Sequence, residues 1–293
     1  MGRGDLSDAE WARLKPHLPR NVGRGGRWKS HRKVINGILF RQRTGVPWRD
    51  LPPRFGKWKT VYDRHRRWSA DGTWDRLLRA VQADADAEGR IDWTMVGVDS
   101  TVVRVHQHAA GARKHTPRLQ GKRTHPERHQ PDEALGRSRG GLTTKIHLAS
   151  EGGRRPLALL LPPRQWGDGP QMTDVLDRIR VPRPGGGHPR TRPECLSADK
   201  AYSSRRNRRY LRRRRIRHVI PERRDQRAHR RNRGSTGGRP TGFNRDQYAR
   251  RNEVERTVNA LKGNRAVATR FDKRAYVFQG TITLAAIRLW LRP

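Results

Sequence analysis

Two strand-like runs, each ending at an aspartate, constrain this chain most strongly. Met95 to Val98 leads directly into Asp99, and Glu194 to Ala198 leads into Asp199. Short apolar runs of this kind are typical of strands in a sheet. Ligands of open α/β sheets bind beyond the carboxyl ends of the strands, so we expect the two carboxylates to meet at one edge.

Further elements of a sheet lie between and after these runs. Leu142 to Leu148 and Pro156 to Leu161 are predicted strands, and the turn Glu151-Gly152-Gly153 indicates a hairpin. Gln171 to Ile179 is helical in pattern, and His218 to Ile220 is the last strand that we predict. Strands that alternate with helices predict an α/β fold.

The first 90 residues have a helical period instead. Ser7 and Glu10 form a capping box, which predicts a helix to about Lys15, and a second helix should follow Ser30. We therefore predict a helical domain over residues 1–90 and an α/β domain over 91–293. Basic, flexible loops are expected near 109–140 and 222–245, the latter disordered without DNA.

A basic helix is predicted over Lys57 to Trp68, after the proline-rich turn Val46 to Gly56. This order resembles a helix-turn-helix whose second helix enters a major groove, although a helical bundle with a solvated basic face has the same pattern. The cations expected on its outer side, and hence on DNA, are Lys57, Lys59, Arg64, Arg66 and Arg67.

The charge of the chain indicates a polyanionic partner. Its formal net charge is +40, and self-repulsion of this size favours binding to nucleic acid. A ribosomal or packaging protein would be similarly basic, but nine tryptophans and several strand-like runs imply a substantial core. We therefore favour an enzyme or a specific DNA-binding protein, with double-stranded DNA as its partner.

The cellular compartment follows from what the chain lacks. Cys195 is its single cysteine, so no intrachain disulfide can form. Its longest purely apolar run, Leu157 to Leu161, is far too short to span a membrane. We expect a cytoplasmic protein that is associated with the nucleoid.

Carboxylates that converge in so positive a protein suggest a bound metal ion. Hard divalent cations prefer oxygen ligands, and Mg²⁺ characteristically takes one or two carboxylates together with phosphate oxygens. We therefore expect Asp99 and Asp199 to bind Mg²⁺, with Mn²⁺ able to substitute. His106 and His108 have a spacing that zinc ligands could use, but no complete tetrahedral set accompanies them.

A third carboxylate lies on a predicted helix from Gln247 to about Lys262. A rotation of about 100° per residue places Tyr248, Arg251, Glu255 and Lys262 in one stripe. Glu255 would be the third metal ligand, and the phenol and two cations beside it could bind DNA. Glu253 points away from the stripe.

These four residues match the Y-x2-R-x3-E-x6-K signature of bacterial insertion-sequence transposases. The blocks Val96 to Thr101, Leu196 to Tyr202 and Thr269 to Lys273 resemble the group of insertion sequence five. The N-terminal run Leu6 to Pro19, with Val46 to Pro52, is similar to the DNA-binding domain of that group. The resemblance covers nearly the whole chain.

The resemblance implies a ribonuclease-H-like catalytic fold and a DDE transposase. Such an enzyme cleaves the ends of a mobile element and joins them to target DNA by two-metal-ion catalysis, with Asp99, Asp199 and Glu255 as the metal ligands. We expect it to act as a homo-oligomer assembled on DNA. Pro163-Arg164 departs from the expected glycine before Gln165, and its effect on activity is left open.

Two other functions use the same features. A regulator would need only the N-terminal DNA-binding domain, and a nuclease of the same fold would hydrolyse DNA without joining it. Asp92 precedes its strand, and the other acids lie in a turn or a helix far from the carboxyl ends of the strands. All four are interpreted as caps or surface residues: Asp92, Asp168, Asp174 and Asp177. The arginines between Arg205 and Arg217 are interpreted as a phosphate track, with a solvated face as the alternative.

Overall fold

The computed structural model describes residues 2–20, 28–112, 133–162 and 167–292. Most of the predicted basic loop near 109–140 and the Pro163-Arg164 departure lie outside these ranges. None of the helices in the described ranges is long and apolar enough to cross a membrane.

The described residues form one mixed sheet of seven strands. The strands are β1 (Val96–Val105), β2 (Gly136–Ser138), β3 (Gly141–Glu151), β4 (Pro156–Leu160), β5 (Cys195–Ala198), β6 (Arg217–Val219) and β7 (Thr269–Arg270). Their order is β2-β3-β1-β5-β6. In addition, β4 pairs with β3, and β7 pairs with β1.

Twelve α-helices in the described ranges surround this sheet. They are α1 (Asp8–Leu14), α2 (His31–Thr44), α3 (Trp58–Ala70), α4 (Thr73–Ala87), α5 (Gln107–Ala110), α6 (Asp168–Asp177), α7 (Arg205–Arg213), α8 (Arg224–Asn232), α9 (Arg245–Ala249), α10 (Asn252–Lys262), α11 (Arg265–Ala268) and α12 (Ala275–Leu291). The predicted α/β class with a helical N-terminal region is confirmed.

The central strand β1 creates the edge at which the site lies. It pairs antiparallel with β3 along most of its length and parallel with β5 only from Val96 to Val98. β5 ends at Ala198, whereas β1 continues and next pairs on β7 at Arg104 and Val105. Among the described strands, none therefore covers this side of β1 around Asp99.

Two expectations about the later part of the chain were wrong. The strand at 217–219 is not the last, because β7 pairs with the end of β1. The segment 222–245 was expected to be disordered without DNA, but it contains α8. Although α8 has no buried residue, its Gln226 side chain accepts a hydrogen bond from Ser203, and Arg230 pairs with Glu222 at one end.

The N-terminal helices share a core with the last helix. α3 and α4 pack on α12, and Trp68, Trp74 and Trp290 are almost completely buried in one continuous cluster. Arg41 on α2 also forms a buried ion pair with Asp272, at 3.2 Å between Nη2 and Oδ1. The proposed division at residue 90 therefore separates two regions that are packed together.

Candidate active site

Asp99 lies on β1 just beyond the last residue that pairs with β5. Its side chain is 18% exposed and approaches Arg251, with 3.6 Å between Oδ2 and Nη2. Because β5 pairs with β1 only as far as Val98, no described strand lies beside β1 at Asp99 on this side. A substrate can reach this edge without displacing a strand.

Asp199 follows the last residue of β5. Its Oδ1 accepts a hydrogen bond of 2.8 Å from the backbone amide of Ala201 and so caps the short turn Lys200–Tyr202. The parallel pairing of β5 with β1 brings Asp199 to the same edge as Asp99, as the sequence predicts.

Glu255 reaches this edge from α10, and Gly97 permits the approach. A Cβ on Gly97 would lie 2.7 Å from Cβ of Val254, so a larger residue at position 97 would push α10 away from β1. Val254, Val258 and Leu261 are the buried face of α10. Glu255 beside them is 45% exposed, which is consistent with its predicted place at the border of the buried face.

Arg251 connects the acidic residues. Its Nη1 donates a hydrogen bond to Oε1 of Glu255, while Nη2 approaches Asp99. Burial disfavours the charge of this guanidinium, but the nearby acidic groups, foremost Asp99 and Glu255, outweigh burial and raise the pKa of Arg251. The guanidinium thus compensates a cluster of negative charge.

The pKa of Asp99 is shifted by burial and by the charged groups around it. Burial raises the pKa of Asp99, and the charges of Asp199 and Glu255 raise it further; the backbone amide of Ser100 and the charge of Arg251 act in the opposite direction. The net shift is upward. A cation that binds here would relieve both the repulsion and the cost of burial.

The predicted single helix from Gln247 to Lys262 is in fact two helices. The helix is interrupted at residues 250–251, between α9 and α10. Tyr248 and Glu255 therefore do not lie on one continuous helical face. Tyr248 packs instead on Met95, Cys195 and Val219 and lies 5.2 Å from the ring of Phe243. Its contact with DNA stays a prediction.

Arg250 lies at this interruption and contacts two carboxylates. Its guanidinium donates to Asp92 Oδ2 at 2.6 Å and to Glu253 Oε1 at 3.1 Å, which ties the start of α10 to the segment before β1. The carboxylate of Glu253 therefore pairs with Arg250 and not with the residues around Asp99, as the sequence predicts. At the other end of α10, Lys262 Nζ donates to the carbonyl of Val102 at 3.1 Å.

Two family models match the chain. The model of the family "Transposase DDE domain" matches residues 95–290, and the model described for transposases of the IS4/5 family (DUF4096) matches residues 6–78. The chain belongs to the DDE transposase family. It is a DNA transposase, and members of this family use divalent metal ions.

Two bacterial relatives each match more than a third of this transposase. "Uncharacterized protein y4sN" of Sinorhizobium fredii is 39% identical over 110 residues, which cover 37% of this chain and 83% of the relative. "Insertion element IS402 uncharacterized 16.2 kDa protein" of Burkholderia cepacia is 36% identical over 111 residues, which cover 36% and 76%.

Solved structures show a more distant likeness. A piggyBac transposase synaptic complex with hairpin DNA has a TM-score of 0.44 and 10% identity, covering 95% of this chain and 70% of that chain. A pre-cleavage Mos1 transpososome has a TM-score of 0.26 and 9% identity, covering 94% and 81%. The sheet order and the family match are in accord with the expected ribonuclease-H-like fold.

The residues of the transposase site fit a hard divalent cation in their chemistry. Asp99, Asp199 and Glu255 supply only oxygen atoms, and Nε of Arg251 is buried without a hydrogen-bond partner among the described residues. Within those same residues, however, no three acidic or histidine side chains already form a closed ligand set. Glu255 and Arg251 would have to reorient when an ion binds.

The basic helix α3 differs from the prediction at one position. Lys57, Arg66 and Arg67 are exposed, and the exposed Lys59 pairs with Asp63 at 3.4 Å. Arg64 is buried, so its predicted outward orientation was wrong. Its guanidinium contacts His31 Nδ1 at 2.9 Å and lies over the rings of Trp28 and Trp68, and such cation–π contacts are attractive.

Sequence reasoning also missed a group beside Asp99. Asp168 was placed far from the carboxyl ends of the strands, but its Oδ1 accepts a hydrogen bond of 2.6 Å from Ser100 and lies 2.6 Å from Lys145 Nζ. Its position directly before a predicted helix did not reveal this contact. By contrast, His106 caps α5 and packs on Phe271, which is a structural role.

Proposed function

We propose that this transposase binds the ends of a mobile element, cleaves their phosphodiester bonds and joins them to target DNA. The observation that carries the proposal is the position of Arg251, which donates to Glu255 and lies 3.6 Å from Asp99, a residue on the strand beside the one that directly precedes Asp199. An oxygen-only site in a chain of net charge +40 suits a phosphodiester and its counter-ions.

The three carboxylates would hold Mg²⁺, with Mn²⁺ as a substitute. When bound, two such ions activate the attacking oxygen and stabilise the leaving oxygen of a phosphodiester displacement. The protein's own contribution is to place the ligands on β1, directly after β5 and on α10. Arg251, once released from Glu255, can donate two parallel hydrogen bonds to a phosphate.

DNA would approach along the basic surfaces that flank the site. Lys57, directly before α3, and Arg66 and Arg67 on α3 are exposed cations suited to the phosphates of double-stranded DNA. Helix α7 presents several further exposed arginines. Residues 1–90 are proposed to recognise the element ends, and residues 91–293 to carry out the chemistry. A homo-oligomer assembled on chromosomal DNA in the cytoplasm would bring two ends together.

The test compares cleavage and binding on the same preparations. Asp99→Ala and Asp199→Ala should abolish Mg²⁺-dependent cleavage of element-end DNA and leave its binding nearly unchanged, because each removes a metal ligand and no phosphate contact. Gel-based cleavage and a gel-shift titration measure the two properties, and a strand-transfer assay detects joining. Substantial cleavage by either variant would remove that residue from the site.

A further inference from the structure

The first turn of α6 lies between the two segments that carry the aspartates. On one side, Asp168 accepts the hydrogen bond from Ser100, the residue after Asp99. On the other side, Nδ2 of the buried Asn207 donates to the carbonyls of Gly169 and Tyr202, at 2.8 and 3.0 Å. α6 therefore contacts both the strand of Asp99 and the turn that follows Asp199.

The contact with the turn is close. A Cβ on Gly169 would lie 3.1 Å from the carbonyl oxygen of Ala201, so this glycine allows the start of α6 to rest against the turn that Asp199 caps. The body of α6 is held firmly as well, because Met172, Val175 and Leu176 are completely buried. A rigid element thus spans the distance between the two aspartates.

Lys145 secures the carboxylate at the start of α6. Its Nζ lies 2.6 Å from the same Asp168 oxygen that accepts from Ser100, and its side chain is only 16% exposed. Burial by itself would raise the pKa of Asp168, but the hydrogen bonds from Lys145 and Ser100 outweigh it, and the pKa is lowered. Asp168 is therefore ionised and has a defined orientation.

We propose that Asp168 is a positioning residue that acts through Ser100 to set the place of Asp99 relative to Asp199. This inference rests on the proposed function, since the spacing of two carboxylates matters most when both bind metal. Residues that orient metal ligands typically change metal affinity or activity by about 10- to 100-fold when they are replaced. We expect an effect of this size although Asp168 touches neither substrate nor ion.

The experiment uses the full chain and a matched control on the same helix. Asp168→Asn removes the charge with little change in volume, and Ser100→Ala removes the hydroxyl while Lys145 keeps its partner. Asp174→Asn makes the same chemical change on α6, six residues away from Asp168. For each variant, calorimetry with Mn²⁺ on the DNA-free protein, Mg²⁺-dependent cleavage, gel-shift affinity and the melting temperature are measured.

Asp168→Asn should weaken Mn²⁺ binding and slow cleavage by roughly 10- to 100-fold, with unchanged DNA affinity. Ser100→Ala should change both in the same direction, and the double variant should be no worse than Asp168→Asn, because both act through one contact. Asp174→Asn should stay within about twofold of wild type, as expected for a surface substitution.

Two results would overturn the proposal. One is that Asp168→Asn and Ser100→Ala both behave like Asp174→Asn. The other is that Asp168→Asn alone is impaired together with a lowered melting temperature, which would indicate a role in stability. Failure of the proposed function is separate, because it would appear as cleavage that survives Asp99→Ala whatever Asp168→Asn does.

Discussion

Glu253 and Glu255 lie two positions apart on α10 but contact different parts of the molecule. Glu255 pairs with Arg251 beside Asp99, whereas Glu253 pairs with Arg250, which also binds Asp92. Glu255→Gln should eliminate metal-dependent cleavage and Glu253→Gln should not, because only the first removes a charge from the proposed metal ligands. Cleavage of element-end DNA in Mg²⁺ measures the difference.

The amide variants keep the volume and nearly the helix propensity of the glutamates. Both must melt near the wild-type temperature, so that a loss of cleavage is not a loss of folding. If Glu253→Gln is inactive and Glu255→Gln is active, the third ligand has been assigned to the wrong glutamate.

At the scale of elements, the contact between β1 and α10 decides whether Glu255 can reach the aspartates. Gly97→Ala places a Cβ 2.7 Å from Cβ of Val254, and overpacking of this kind typically costs about 1–3 kcal/mol. We expect a lower melting temperature and weaker cleavage, because α10 must shift away from β1. Differential scanning calorimetry and the cleavage assay check the two effects.

Gly185→Ala is the control for this substitution, since an added Cβ there meets nothing within 4 Å. It should leave both the melting temperature and cleavage unchanged. Equal behaviour of the two alanine variants would mean that the approach of α10 does not depend on Gly97.

The helix α3 presents some of its cations to solvent and buries another. Replacing Lys57, Arg66 and Arg67 together by alanine should weaken binding to DNA and reduce its salt dependence, since each lost phosphate contact lowers the salt slope by roughly one. Arg64→Ala should instead lower the melting temperature, because this guanidinium packs between Trp28 and Trp68. Gel-shift titrations over a salt series test the first statement.

If the triple variant binds DNA with the wild-type salt slope, α3 does not contact phosphates. The helix would then be part of a bundle with a solvated basic face, which was the alternative that the sequence left open.

At the scale of the whole molecule, the helical and α/β regions are joined through α12, and this junction contains a histidine. His65 on α3 is completely buried and lies 3.1 Å from the hydroxyl of Thr281 on α12. Burial lowers its pKa from 6.5 to about 4. Between these values the unfolded chain binds a proton that the folded chain excludes.

The protonation of His65 should therefore leave the free energy of unfolding undiminished above about pH 6.5. Below that pH the free energy of unfolding should fall as the pH drops towards 4. His65→Gln should reduce that slope, whereas His188→Gln, on an exposed loop, should not. Denaturant unfolding at pH 7 and pH 5 measures both. Part of the pH dependence should remain in His65→Gln, because burial also lowers the pKa of His147 on β3 to about 4. An unchanged slope in His65→Gln would contradict the assignment.

Local patterns explain which parts of the fold could be predicted from the sequence. The Ser7–Glu10 capping box is present, with Ser7 Oγ accepting from the Glu10 amide at 3.1 Å. The strands before Asp99 and Asp199 formed where predicted, because runs of apolar residues identify strands without reference to the rest of the chain. The two-residue strand β7 could not be predicted, since only its pairing with β1 defines it.

The sequence by itself determined the family, the α/β class and the three candidate ligands, because residue type, spacing and periodicity are properties of neighbouring positions. Only the tertiary structure decided which side chains meet across the chain. It buried Arg64 among aromatic rings, ended α9 where Arg250 reaches Asp92, and brought Asp168 to Ser100. Such contacts between distant positions follow from how α3, α6 and α10 pack, and no local pattern in the sequence specifies them.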